Sequence, residues 1–309
     1  MNSMTNDYVL CGWRLRSAIT LPELPPWTGD DREPDVTFAL GKVPISFDTP
    51  VLRTPMVEVD GEGRIRLRIN SVCDYLVERG NRITFDPKVR LGAPDIRLFL
   101  LGTGLGFLCH QRGVLPLHAA AVEVDGRTVL LAGPSGVGKS TLAAAFLRRG
   151  HRILSDDVAP LAVNGPDGLI LPSLRRIRLW RDSAEQAAWP VDTLEPCRDA
   201  MEKYSRPLEA GYAAAPLQPS TLVHLRRSVA HRDEITFERL RGARAVEQMR
   251  LQTYRWRTLA GLLNDTGALR RVSVAAAVIP HHLILMRPMR YGRLDATIDA
   301  ILHAVRDAA

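Results

Sequence analysis

The feature that most constrains this chain is the run GPSGVGKS at residues 133–140, which fits the pattern G-x-x-x-x-G-K-[ST]. The apolar run TVLLA (128–132) precedes it and predicts a buried strand. The run STLAAAFLRR (140–149) follows and is rich in helix formers. A glycine-rich turn between a strand and a helix is the setting in which this pattern binds nucleotide phosphates. The sequence therefore predicts an α/β fold, leaning towards α+β, built around a phosphate-binding loop.

Each residue type in the loop has a chemical reason. Glycines let several backbone N–H groups converge on one phosphate chain, and the helix N-terminus adds partial positive charge there. Lys139 is predicted to reach the β- and γ-phosphates of ATP, and the Ser140 hydroxyl to ligate Mg²⁺. The predicted nucleotide-binding residues are Gly133, Pro134, Ser135, Gly136, Val137, Gly138, Lys139, Ser140 and Thr141.

Two adjacent carboxylates, Asp156 and Asp157, follow the loop after one helix and a short predicted strand at 152–155. Acids at a strand end beside a phosphate loop suit metal-assisted phosphoryl transfer. One would hold Mg²⁺ and the other would accept the proton of an attacking hydroxyl. Crowding of two negative charges should also raise the pKa of one of them. A solvated turn or a helix cap is the alternative. Because the sequence does not assign the two roles, both aspartates are candidate catalytic and metal-binding residues.

The segment from Leu117 to Leu161 resembles the catalytic domain of the HPr serine kinase/phosphorylase family. The shared features are a histidine before a hairpin (His118), the phosphate loop, a helix ending in Arg-Arg-Gly-His, and Asp-Asp-Val. The likeness is strongest to the smaller HPr-kinase-like proteins of ribosomal peptide pathways, including kinases of lasso-peptide precursors. It implies a kinase domain with a mixed sheet, related to phosphoenolpyruvate carboxykinase. It also implies that His118 lies near the active site; a hydrogen-bonded histidine at a strand start is the alternative.

Two predicted hairpins agree with a mixed sheet. Asp125-Gly126, a strong hairpin signal, separates the apolar runs 119–124 and 128–132. A second hairpin is predicted around residues 164–168. Antiparallel pairs on both sides of a phosphate loop would give a sheet with both strand directions.

Two departures from the family pattern bear on the substrate. HPr kinases carry Glu after the loop serine, where this chain has Thr141, and no clear Gly-Arg-Asn signature follows later. Both departures argue against HPr as the acceptor and against reverse phosphorolysis, whereas the peptide-pathway relatives share the Ser-Thr form. The expected function is therefore ATP- and Mg²⁺-dependent transfer of the γ-phosphoryl group to a hydroxyl of a peptide or protein. Serine is the expected acceptor residue. A ribosomal precursor peptide is the first candidate acceptor. A small-molecule kinase on the same scaffold and a nucleotide-binding regulator without transfer are the alternatives.

Length and composition set the remaining expectations. Residues 1–92 are predicted to form a small strand-rich domain, and residues 93–309 the catalytic domain. The content of 46% hydrophobic and 24% charged residues is ordinary for globular proteins, and no apolar run approaches the roughly 20 residues of a membrane span. Four scattered cysteines and no signal peptide favour the cytoplasm. No nucleic-acid motif accompanies the net charge of +7, so no nucleic-acid partner is expected; a homo-oligomer is implied only by the resemblance.

Within an irregular Pro/Ala-rich stretch, Lys203 and Arg206 are candidates to stabilise the transferred phosphoryl group. Surface charge is the alternative for both residues.

Overall fold

A computed structural model describes residues 6–198, 201–228 and 233–307. The chain forms two compact units. The first contains the residues up to Val114 together with Arg255–Arg270, and the second contains Leu115–Tyr254 and the residues from Arg271 onward. The compact units thus divide at a different point from the predicted domains, which divide after residue 92. No helix within the described ranges combines the length and the apolar character needed to cross a membrane.

The first unit is built on an eight-stranded sheet with the strand order β1-β2-β3-β8-β7-β6-β5-β4. Its strands are β1 Asn6–Leu10, β2 Trp13–Ser17, β3 Val36–Leu40, β4 Pro50–Arg53, β5 Val57–Asp60, β6 Ile65–Ile69, β7 Cys73–Glu78 and β8 Arg82–Pro87. A helical segment follows, composed of α1 Pro94–Phe99, a π-helical stretch Leu100–Gly104 and α2 Leu105–Gln111. The Tyr75 hydroxyl donates a hydrogen bond to the carbonyl of Ile96. The helical segment, which the sequence analysis places in the catalytic domain, belongs to the first unit.

The second unit contains a six-stranded sheet with the order β12-β10-β11-β17-β19-β18. The strands of this unit are β9 Leu115–Leu117, β10 Ala119–Val124, β11 Arg127–Ala132, β12 Ile153–Ser155, β13 Ala159–Asn164, β14 Asp167–Ile170, β15 Arg176–Trp180, β16 Lys203–Pro207, β17 Pro219–Arg227, β18 Thr236–Leu240 and β19 His281–Arg287. Strand β17 runs parallel to β11 and β19, whereas β10 pairs antiparallel with β11 and β12. The predicted mixed sheet and both predicted hairpins are confirmed, since β13 also pairs antiparallel with β14.

The helices of the chain after the loop are α3 Lys139–Arg148, α4 Arg181–Gln186, α5 Gly242–Gln252, α6 Trp256–Ala277, which is interrupted at Asn264, and α7 Leu294–Arg306. Helix α3 packs its apolar face, including Leu142 and Phe146, into the same core as Leu131 and Val223 of the central sheet. Strand β11 and helix α3 are thereby fixed on either side of the loop.

The sheet face away from α3 carries a buried histidine pair. Val223 belongs to the core that includes α3, and because side chains alternate along a strand, His224 points to the other face. The His224 ring stacks at 6.2 Å from the ring of His282 on β19. Neither ring nitrogen of His224 has a hydrogen-bond partner within the described part of the chain. Burial, followed by the nearby His282, lowers the pKa of His224 to about 3.

Candidate active site

The phosphate-loop residues form one wall of a cleft of about 1050 Å³ in the second unit. Gly136 and Gly138 have left-handed backbones, with φ of 80° and 87°, which only glycine adopts without strain. Of the predicted site residues, the cleft is lined by His118, Ser135, Gly136, Gly138, Lys139, Ser140, Thr141 and Asp157. Gly133, Pro134, Val137 and Asp156 are not among the lining residues, but each accepts a hydrogen bond from a residue that is.

The Lys139 ammonium group folds back onto its own loop. Its Nζ donates to the carbonyl of Gly133 at 2.7 Å and to that of Pro134 at 3.2 Å, and it lies 3.1 Å from Nε2 of His118. Burial lowers the pKa of Lys139 to about 8, and the charges of Asp157 and Asp156 partly oppose this shift. The group therefore remains mostly cationic at neutral pH, with its donors held by acceptors that a phosphate oxygen can replace.

His118 joins the loop lysine to the aspartate pair. Since an ammonium nitrogen only donates, Nε2 of His118 accepts from Lys139. The proton of a neutral His118 then resides on Nδ1, which donates to the Asp157 carbonyl at 3.3 Å and lies 3.5 Å from Oδ1 of the same residue. Burial and then the charge of Lys139 lower the pKa of His118, which keeps the ring neutral. The histidine predicted from the resemblance thus contacts both Lys139 and Asp157.

Asp157 presents an ionised carboxylate to the cleft. Its Oδ2 accepts a short hydrogen bond from Nη2 of Arg178, a buried residue on β15. Burial alone would raise the pKa of Asp157, but the positive charges of Arg178, Lys203 and Lys139 overcome this effect and lower the pKa to about 2. Because Arg178 holds Oδ2, Oδ1 is the carboxylate oxygen left for a substrate or for His118.

Asp156 lies deeper than its neighbour. Its Oδ2 accepts a hydrogen bond of 2.8 Å from the backbone N–H of Arg178. Burial raises the pKa of Asp156 to about 6, and the charge and the backbone N–H of Arg178 partly oppose this rise. The expected raised pKa therefore falls on Asp156, and its main cause is burial rather than the crowding of two carboxylates.

The residues around Asp156 fit a magnesium ion. Oδ1 of Asp156 is a buried carboxylate oxygen with no hydrogen-bond partner in the described ranges, and the Ser140 hydroxyl is beside this side chain. No group of three His, Cys, Asp or Glu side chains that could hold a metal occurs among the described residues. Mg²⁺ is commonly held by one or two protein oxygens together with water and substrate phosphates, so a carboxylate and a hydroxyl suffice.

The two basic residues singled out after the aspartates have different surroundings. Lys203 lines the cleft, 5.8 Å from the ring of Trp180, and its charge contributes to the lowered pKa values of Asp157 and His118. Arg206 instead lies over the Trp189 ring at 5.4 Å and is absent from the cleft lining. Lys203 is therefore the one placed to act on a bound phosphate.

Sequence reasoning did not identify Arg178 as a site residue. Residues 174–180 (LRRIRLW) have the composition of a strand and contain three arginines, at positions 175, 176 and 178. The structure places Arg176 and Arg178 two residues apart on the same strand, and Arg178 donates hydrogen bonds to both aspartates. Alternation along a buried strand could have suggested a cation facing the site, but no motif marks which arginine it is.

A hydrogen-bonded chain leads from the loop helix across the cleft wall. Thr141 Oγ1 lies 3.1 Å from Ser183 Oγ, which lies 3.0 Å from the Tyr291 hydroxyl, and this hydroxyl donates to Asp182 Oδ2 at 2.7 Å. Because a carboxylate only accepts, the donor direction runs from Thr141 through Ser183 and Tyr291 to Asp182. Thr141, which replaces the family glutamate, is thus tied to α4 and to the segment before α7.

Comparison with known proteins supports the resemblance. Residues 106–236 match the family of the SynChlorMet cassette protein ScmC. The HPr kinase/phosphorylase of Limosilactobacillus reuteri is 51% identical over 81 residues, covering 23% of this chain and 25% of its own length. That of Halalkalibacterium halodurans is 30% identical over 117 residues, covering 33% and 38%. The HPr(Ser) kinase/phosphatase structure from Coxiella burnetii aligns with 63% of this chain and 99% of its own, at 13% identity and a TM-score of 0.34.

The matched curated relatives are covered only in part. The chain spans between 16% and 38% of the length of the HPr kinase/phosphorylases of Treponema pallidum and Halalkalibacterium halodurans. These relatives share one name, HPr kinase/phosphorylase, and the ScmC family match covers residues 106–236. The predicted likeness to the HPr kinase/phosphorylase family, including its pathway-associated relatives, is confirmed for this part of the chain.

Proposed function

We propose that this chain, which is related to the HPr kinase/phosphorylases, is an ATP- and magnesium-dependent kinase that phosphorylates a serine hydroxyl of a peptide or protein. The observation that carries the proposal is the position of Asp157, ionised, lining the same cleft as the phosphate loop. A phosphate loop alone serves many nucleotide-binding proteins. Phosphoryl transfer to a hydroxyl also uses a carboxylate beside the loop, which orients the hydroxyl and accepts its proton.

The residue roles follow from the contacts. Lys139 leaves its loop carbonyls for the phosphates, and the loop N–H groups bind the same phosphate chain. Ser140 and Asp156 would hold Mg²⁺, which supplies charge neutralisation at the phosphates. Asp157 Oδ1 accepts the hydrogen bond of the acceptor hydroxyl and then its proton. The hydroxyl oxygen bonds to the γ-phosphorus, the bond from that phosphorus to the bridging oxygen breaks, and ADP leaves. His118 is a positioning residue that contacts Lys139 and Asp157.

A peptide acceptor is supported by the size and lining of the cleft. Its volume of about 1050 Å³ is at the upper end of the range of small-ligand pockets, roughly 300–1,000 Å³, which leaves room for a second substrate beside a nucleotide. The exposed Trp180 and the neighbouring Lys203 offer an apolar surface and a cation at one side. A ribosomal precursor peptide, of the lasso type, is the proposed acceptor on the strength of the resemblance to the peptide-pathway kinases.

The test is mass spectrometry of acceptors incubated with the protein, Mg²⁺ and ATP. The panel contains HPr, peptides with a C-terminal serine and peptides with an internal serine. Asp157→Asn should lower the transfer rate by roughly 10²- to 10⁴-fold, the usual contribution of a general base, while ATP affinity stays within about threefold. The matched control is Asp167→Asn, which makes the same change at the exposed first residue of β14.

The outcomes separate the candidate functions. A phosphate gained by serine peptides and lost only in Asp157→Asn supports the peptide kinase. Phosphate transfer by Asp157→Asn at the rate of the wild type would refute the assigned base. If ATP binds and no peptide or protein gains phosphate, the peptide-kinase proposal fails, and small-molecule acceptors or regulation without transfer become the functions to test.

A further inference from the structure

Arg287, the last residue of β19, is a cation buried against the phosphate loop. The residue is 2% exposed, yet it is among those that line the cleft. Its Nη2 donates to the carbonyl of Val137 at 3.0 Å, across 150 positions of sequence. A Cβ at Gly138 would lie only 2.5 Å from the same Nη2, so the glycine is what lets the guanidinium approach the loop.

Arg287 lacks a counterion in the part of the chain that the structure describes. Within residues 6–198, 201–228 and 233–307, no carboxylate forms an ion pair with it, and Nε has no hydrogen-bond partner. Burial is the cause that lowers its pKa to about 10, which leaves the group charged at neutral pH. By contrast, the buried Arg178 in the same cleft is neutralised by Asp157. A buried charge without a partner is strongly unfavourable, and an anion at the loop would remove this penalty.

One carbonyl contact does not account for this side chain. A guanidinium has five N–H donors in a rigid fork, and the described residues take up few of them. A neutral donor could hold the Val137 carbonyl without burying a charge. The fork geometry and the permanent charge instead match a phosphate, which accepts several hydrogen bonds at once.

We propose that Arg287 is a phosphate-binding residue that donates, beside Lys139, to the phosphate chain of a nucleoside polyphosphate. Its contact with Val137 fixes the guanidinium relative to the loop. The phosphate chain would therefore bind to two cations, Lys139 and an Arg287 that is already in position. This inference rests on the nucleotide binding included in the proposed function, but it does not require phosphoryl transfer.

The test is calorimetric binding of ATP and of inorganic tripolyphosphate to the full chain and its Arg287→Met and Arg287→Lys variants. Arg287→Met should weaken both ligands by roughly 10- to 100-fold, the loss expected for a hydrogen bond to a charged group. Arg287→Lys, which retains the charge without the fork, should fall between Met and wild type. Arg148→Met removes the same charge from the exposed end of α3 and should leave both affinities within about threefold.

The melting temperature of the ligand-free variants separates binding from a structural role. Removal of an unpaired buried charge should leave the melting temperature of Arg287→Met unchanged or higher. Wild-type affinity in Arg287→Met would overturn the proposal. So would equal losses of affinity in the Met and Lys variants accompanied by a lower melting temperature, because that pattern marks a role in folding alone. If the wild type binds both ligands but phosphorylates no acceptor, the kinase proposal fails and the assignment of Arg287 remains.

Discussion

Replacing the buried His224 by leucine should make the protein less sensitive to acid. In the folded state, His224 stays neutral down to about pH 3, because burial lowers its pKa to about that value. In the unfolded chain the ring takes up a proton near pH 6.5. Between these two pH values the unfolded state binds more protons, so stability is lost as the pH falls. The loss in unfolding free energy caused by His224 grows by about 1.4 kcal/mol for each pH unit below 6.5, which amounts to about 2 kcal/mol between pH 7 and pH 5.

Urea unfolding of the wild type and of His224→Leu at pH 7 and pH 5 measures this quantity. The difference in unfolding free energy between the two proteins should shift by about 2 kcal/mol in favour of the variant at the lower pH. Titrations elsewhere in the chain, such as that of Asp156, affect both proteins and cancel. The control is Leu222→Val on the same strand, also fully buried, which should change the unfolding free energy equally at both pH values. A difference between wild type and His224→Leu that is the same at pH 7 and pH 5 would refute the reasoning.

Two further predictions concern the phosphate loop. Since Lys139 loses its proton with a pKa of about 8 in the ligand-free site, ATP affinity should fall by about tenfold from pH 7 to pH 9, as the cation becomes a minor species. Calorimetry of Lys139→Arg, whose charge persists over this range, should show no such fall, and a fall of the same size there would contradict the assignment. Gly138→Ala should destabilise the ligand-free protein by about 1–3 kcal/mol more than Gly136→Ala, because both have positive φ but only Gly138 meets Arg287. Urea unfolding measures this difference between the two variants, which should become smaller when Arg287→Met is added. A difference that stays the same would mean that Arg287 is not its cause.

The sequence was informative where the structure is local. The loop, the hairpin at Asp125-Gly126 and the strand just before Asp156 all depend on residues close together in the chain, whose turn and strand preferences can be read directly. The phosphate-loop pattern also predicts a strand before the loop and a helix after it. These short-range rules were enough to predict the mixed sheet and to bring the loop and the aspartates into one unit.

Residues that reach the site from far along the chain carried no such signal. Arg287 contacts the loop across 150 positions, and Tyr291 contacts Ser183 across 108. Neither belongs to a motif, and an arginine at the end of an apolar strand normally indicates a solvated terminus. The compact units also differ from the predicted domains, because residues 255–270 lie with the first unit although they follow the catalytic segment in sequence. Such placements depend on tertiary packing rather than on local preference.

Arg178 supports the two aspartates by different parts of the same residue, its main chain for Asp156 and its side chain for Asp157. Any residue except proline supplies the main-chain N–H, so a change of the Arg178 side chain releases Asp157 and leaves the anchor of Asp156 in place. A substitution at position 178 of strand β15 can therefore alter the surroundings of Asp157 without removing the main-chain hydrogen bond to Asp156. Substitutions at one position can vary the charge environment of the candidate base while the candidate metal ligand keeps its main-chain bond.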